Sequence, residues 1–170
     1  PAPFVVSAPS GWVRARDAAV TWEATSDAVP GVTYSVYADG RLIANRLSTT
    51  EASLSTAVLG DGVHRLQVLA SDSAGQRTMS AKTELKVDAN PPSVRLTSID
   101  QHQGVRVTLR DRASGVDVGA SWIDFGDGTH AHGRVRFAHR YARPGLYTLT
   151  AHVRDRVGNH ATVRLRVRVR

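Results

Sequence analysis

Asp124, Asp127, His130 and His132 fall within nine residues, in the stretch WIDFGDGTHAH. Carboxylates and imidazoles that close together can move protons or hold a metal, so a hydrolytic or metal-assisted site is one reading. No nucleophile–base–orienter set accompanies them, and the expectation is a chain that is not an enzyme, with no catalytic residues. A second reading uses Asp111, Asp117, Asp124, Asp127 and Asp155, which would gather at one end of a β-sandwich and offer oxygen ligands to Ca²⁺. The alternative is that each aspartate caps its own turn, and the nearby Arg110, Arg112 and Arg156 count against a cation. No other cofactor is implied. His130, His132, His139, His152 and His160 suit a transition metal on residue type alone, but exposed loop histidines are the favoured reading.

The basic residues make a third possibility. In TVRLRVRVR, Val163, Leu165, Val167 and Val169 alternate with Arg164, Arg166, Arg168 and Arg170. Such alternation puts apolar side chains on one face of a strand and guanidinium groups on the other. Leu149, Ala151 and Val153 alternate in the same way with Thr150, His152 and Arg154, with turn residues before and after. The two stretches form a hairpin whose outer face carries His152, Arg154, Arg164, Arg166 and Arg168. Trp122 joins that face if its strand lies next to residues 146–154. An exposed aromatic beside arginines suits an acidic glycan or a cell-surface protein partner; nucleic acid is not the expected partner. The competing reading is a solvated face with Trp122 packed under arginine stems.

These groups are positioned by β-structure throughout. Further strands are expected over residues 19–22, 32–37, 41–44, 52–58, 63–71 and 83–87, with the Asp39-Gly40 pair turning a hairpin and a loop over 26–31. Pro1–Ser10 reads as a linker or a first edge strand. No stretch carries a helical period. An internal repeat organises the whole: residues 62–75 (GVHRLQVLASDSAG) superpose without gaps on residues 145–158 (GLYTLTAHVRDRVG), with His64 in the place of Tyr147. The fold class is therefore all-β, two tandem immunoglobulin-like β-sandwiches. The domains span 1–90 and 91–170, joined by a short, stiff Pro-Pro linker at Pro91 and Pro92.

Charge divides along the same line. Of 22 basic and 15 acidic side chains, residues 1–91 hold 8 and 9, and residues 92–170 hold the remaining 14 and 6. Any acidic partner is expected to meet the second domain. The absence of cysteine excludes a disulfide framework and Cys-based zinc sites. No apolar run is long enough to span a membrane, so no membrane insertion is expected. The arginine bias, with lysine only at 82 and 86, points to a bacterial source. Neither lysine suits an autocatalytic cross-link. The chain reads as a piece of a larger protein, monomeric by itself.

The motifs DFGDGT (Asp124–Thr129), H-x-Y (His139 and Tyr141), P-G-x-Y (Pro144, Gly145 and Tyr147) and D-x-x-G (Asp155 and Gly158) resemble the PKD domain, an immunoglobulin-like sandwich of surface and secreted proteins. The resemblance implies structural roles for Asp124 and His139, and a tyrosine corner at Tyr147. One departure stands out: the family usually has Trp directly before the DFGDG motif, where this chain has Ile123, preceded by Trp122. By alternation Ile123 takes the core position and Trp122 the outer face. The first half resembles bacterial immunoglobulin-like or fibronectin type III-like domains through V-x-W at 20–22, Y-x-V-Y-x-D-G at 34–40 and D-G-x-H-x-L-x-V at 61–68. Together these imply a non-catalytic extracellular or cell-surface spacer. The alternatives are an adhesion module whose second domain binds an acidic polysaccharide or a protein, and an ancillary domain of a secreted hydrolase.

Overall fold

The two repeated segments, Gly62–Ser71 and Gly145–Arg154, become ten-residue strands, each central to one sheet of its own half. A computed structural model of the chain describes residues 1–26, 31–54, 59–98 and 104–170. It divides into two compact units, Pro1–Ala89 and Asn90–Arg170.

The first unit contains β1 (Val6–Ser7), β2 (Trp12–Arg14), β3 (Ala19–Trp22), β4 (Thr33–Ala38), β5 (Arg41–Leu47), β6 (Glu51–Ser53), β7 (Gly62–Ser71), β8 (Arg77–Met79) and β9 (Thr83–Asp88). One sheet runs β1-β3-β6; the other runs β2-β9-β7-β4-β5, with β8 also on β7. Alternation buries Tyr34, Val36 and Ala38 from β4 and Leu66, Val68 and Ala70 from β7 against Val20 and Trp22 from the facing sheet. The β4–β5 turn pairs Ala38 with Arg41 across Asp39 and Gly40, both at positive φ (50° and 81°), which is what a two-residue hairpin of primed type requires. The Pro-rich start does more than link: Phe4 and Val6 are buried, and the Phe4 ring packs edge-on to Tyr34 at 5.9 Å. The strand expected over 52–58 is Glu51–Ser53, with residues 55–58 outside the described residues. Residues 27–30 of the expected loop also lie outside them.

The second unit contains β10 (Ser93–Ser98), β11 (Gly104–Arg110), β12 (Trp122–Asp124), β13 (His130–His132), β14 (Arg136–Arg140), β15 (Gly145–Arg154) and β16 (His160–Val169). Its sheets run β10-β11-β14 and β13-β12-β15-β16. Val105, Val107, Leu109 and Phe137 from the first meet Ile123, Leu149, Ala151, Val153 and Val167 from the second in a closed apolar core.

The repeat is also a repeat of turn geometry. Asp72 N and Asp155 N donate to the carbonyls of Gln76 and Asn159 (3.1 and 3.0 Å), while Gly75 N and Gly158 N donate back to the carbonyls of Asp72 and Asp155 (both 3.2 Å). Gly75 and Gly158 sit at φ 83° and 93°, conformations that glycine adopts without a Cβ penalty.

Candidate functional site

The turn that holds Asp124 and Asp127 is closed on itself. Phe125 N donates to Thr129 O at 3.0 Å. Asp124 Oδ1 accepts from Gly126 N at 2.8 Å. Asp127 Oδ1 accepts from Thr129 N (3.1 Å) and Thr129 Oγ1 (2.6 Å), and its Oδ2 accepts from His139 Nε2 at 2.7 Å. His139 lies flat on Phe125 (4.1 Å between centroids) and meets Tyr141 edge-on at 4.6 Å; Tyr141 in turn stacks on Tyr147 at 4.2 Å. The buried Tyr141 hydroxyl donates to Phe125 O (3.1 Å) and the Tyr147 hydroxyl to Arg143 O (2.9 Å). The motif residues thus build one aromatic column that pins the turn. Burial raises the Asp127 carboxyl, but hydrogen bonds from Thr129 and His139 outweigh it and hold it below the usual carboxylate range. Burial pushes the Tyr141 phenol up to about 12. The Thr129 hydroxyl donates to the Asp127 carboxylate, and the Asp127–His139 pair locks the turn.

The five aspartates separate into two groups. Asp111 Oδ1 accepts from Ala113 N and Gly115 N (3.0 and 2.7 Å), and Asp117 Oδ1 from Gly119 N and Ala120 N (3.1 and 3.2 Å). Asp155 is 1% exposed; its Oδ1 accepts from Val157 N, Gly158 N and Asn159 N, and its Oδ2 from Asn159 Nδ2. Carboxylate oxygens of Asp111 and Asp155 lie within 4.8 Å of one another. Asp117 N bonds to Arg154 O at 2.8 Å, which keeps that loop at the same end of the sandwich. Asp124 pairs with Thr150, five residues back along β15 from Asp155, roughly 17 Å at ~3.4 Å per residue. Asp124 and Asp127 therefore stand apart from the other three, and among the described residues no group of three metal-ligating side chains includes Asp117, Asp124 or Asp127.

Cross-strand register assembles the outer face of the β13-β12-β15-β16 sheet. Trp122 lies opposite both His132 and His152, and His152 opposite Thr162, giving one row across four strands. The next row is His130, Asp124, Thr150 and Arg164; Arg154 pairs with His160 on the other side. Ile123 is fully buried while Trp122 is 41% exposed. The indole lies flat against the His152 ring (4.0 Å, 18°) and edge-on to His130 (6.2 Å), and Thr162 Oγ1 is 3.1 Å from His152 Nδ1. Arg166 and Arg168 pair with Thr148 and Leu146, two and three rows from Trp122, so they extend the basic face without flanking the indole. His139 belongs to the other sheet, apart from the remaining histidines.

Two features were not anticipated from sequence. The outer face of the β10-β11-β14 sheet is also basic, with Arg95, Arg106, Arg110, Arg136 and Arg140 exposed, in a strand set whose alternation is as regular as that of β15. In the first unit, His64 Nδ1 lies 2.8 Å from Asp39 Oδ2 and its Nε2 2.9 Å from Gly60 O, while Arg65 N donates to Asp39 Oδ1 at 2.9 Å. His64 holds the repeat position of Tyr147 and follows the Asp61-Gly62 pair, but no local signal ties it to Asp39. Burial opposes charge on His64, but the bonds to Asp39 and Gly60 prevail and raise its pKa; the Arg65 amide and His64 lower that of Asp39.

Residues 90–169 match the family model described as PKD domain. Among solved structures, fibronectin(III)-like modules of Clostridium thermocellum CbhA match at 15% identity, covering 98% of this chain and 94% of that one, with a TM-score of 0.42. The FN1–FN3 domains of chicken CNTN1 match at 12% identity, covering 95% of this chain and 66% of that one, with a TM-score of 0.44. No curated protein matches the chain significantly. Among the described residues, no helix is long and apolar enough to cross a membrane.

Proposed function

We propose that the chain is a non-catalytic spacer of a bacterial cell-surface or secreted protein, two β-sandwich modules that hold a neighbouring domain away from its anchor. The observation that carries this reading is the use made of the polar side chains. Asp39, Asp111, Asp117, Asp124, Asp127 and Asp155 each direct Oδ1 at backbone N–H groups, and all but Asp39 serve the turn they sit in. Carboxylates committed to turns stiffen loops and are not poised for proton transfer. Each unit also closes an apolar core of its own, the condition for folding as an independent module.

The reading is tested by placing the chain between a surface anchor and a small epitope on a bacterial cell. Access of a bulky antibody to the epitope is expected to fall when the 170 residues are deleted, and to return when an unrelated pair of folded β-sandwich modules replaces them. Equal access in all three cases would overturn the spacer reading.

A further inference from the structure

We propose that the outer face of the β13-β12-β15-β16 sheet binds an acidic polysaccharide. The inference goes beyond the spacer reading and does not depend on it.

Placement comes from the register. Residues directly opposed in an antiparallel ladder share a face, with strands about 4.8 Å apart and same-face rows about 7 Å apart. His132, Trp122, His152 and Thr162 thus form one continuous row, bordered by the row of His130, Asp124, Thr150 and Arg164 and by Arg154 and His160. The indole is held in position by its stack on His152, whose ring is fixed in turn by Thr162. A preorganised aromatic surface costs little ordering entropy on binding. Sugar rings offer C–H faces to such a surface and hydroxyls at the rim, where Thr150 and Thr162 stand.

Charge selects an acidic chain. Arg154 and Arg164 outnumber Asp124, the one carboxylate of these rows, which lies 3.9 Å from His130 Nδ1 and also accepts from Gly126 N. Nucleic acid fits less well: single strands need successive stacking platforms, and Trp122 is the sole aromatic of these rows apart from its histidines, with one face already covered. A peptide partner is disfavoured because Trp122 is the one apolar side chain of these rows, where a peptide interface draws on a cluster of anchors.

The test is calorimetric titration of the full chain with heparin and polygalacturonate, against dextran, poly-L-glutamate and oligothymidylate, at low and high salt. The acidic glycans are expected to bind, with affinity falling as salt rises. Trp122→Ala and Arg164→Ser should each weaken binding about tenfold. Arg106→Ser, on the other basic sheet, should change nothing. Arg164 is exposed, so its variant keeps the test decisive even if Trp122→Ala disturbs folding. The proposal is overturned by no binding at all, or by binding that depends on Arg106 and not on Trp122 or Arg164. Equally tight binding of poly-L-glutamate or oligothymidylate at matched charge would overturn it as well.

Discussion

The side-chain amide of Asn159 donates to Asp155 Oδ2 at 2.7 Å, completing the hydrogen bonding of a carboxylate that is 1% exposed. The equivalent carboxylate of the first domain is less well served: Asp72 Oδ1 accepts from Gln76 N, but its buried Oδ2 has no hydrogen-bond partner among the described residues. Gln76 occupies the repeat position of Asn159, and its side chain does not close the turn. A buried acceptor left unsatisfied costs about 1–3 kcal/mol.

Asn159→Ala should therefore destabilise the second domain by about 1–2 kcal/mol, and Gln76→Asn should stabilise the first by about 1 kcal/mol. Urea unfolding of the full chain, followed by hydrogen exchange in β15 and β7, separates the two effects. A Gln76→Asn variant no more stable than the parent would show that Asp72 is satisfied in another way.

The His64 contact predicts a pH window. Both ring nitrogens face acceptors, so both donate only when the ring is charged. The His64 pKa is raised, so its contribution is complete below the unfolded value of 6.5 and is lost as pH rises through the folded value. The Asp39 pKa is lowered, so its contribution is present above 3.8 and is lost as pH falls through the folded value. Protection of β7 amides should be greatest between those limits and lower at about pH 8.5. His64→Gln should remove the difference; a difference that persists would assign it to another group.

Two glycines of one turn should differ sharply. Gly126 sits at φ 81°, and an added Cβ there would collide with the carbonyl oxygen of Thr148; Gly128 sits at φ 89° with open space around it. Gly128→Ala should cost about 1 kcal/mol for the left-handed conformation alone, whereas Gly126→Ala should cost at least twice that, since backbone must move. Similar melting temperatures for the two variants would contradict the close approach.

Tyr141 gives a spectroscopic prediction. Its phenol, buried and hydrogen-bonded to Phe125 O, should ionise near pH 12, well after an exposed tyrosine. An ultraviolet titration of Tyr141→Phe against the parent should remove a late-ionising component. Loss of an early one would contradict the burial.

Strand alternation was legible because burial on one face leaves a period of two. Ile123 inward and Trp122 outward follow from it, as do the inward Leu66, Val68, Leu149 and Val153. The aspartates were not legible in the same way. An Asp-Gly turn has one spelling whether its carboxylate faces neighbouring aspartates or its own backbone, and only the register shows that Asp124 and Asp155 lie far apart. Register also separates Arg166 and Arg168 from Trp122, although all three share a face. The Pro1–Ser10 stretch hid a buried Phe4 because its prolines mask any alternation. Asp39 and His64 are 25 residues apart, a distance no local pattern bridges.

The most direct test of the account is force extension of the full chain on a single-molecule instrument. Two separate modules of 89 and 81 residues should unfold in two events, each releasing on the order of 25–30 nm of chain at ~3.5 Å per residue less the folded span. One event of double length would mean a single cooperative unit. A featureless extension would mean that neither module resists load, and either result would contradict the reading of the chain as a two-module spacer.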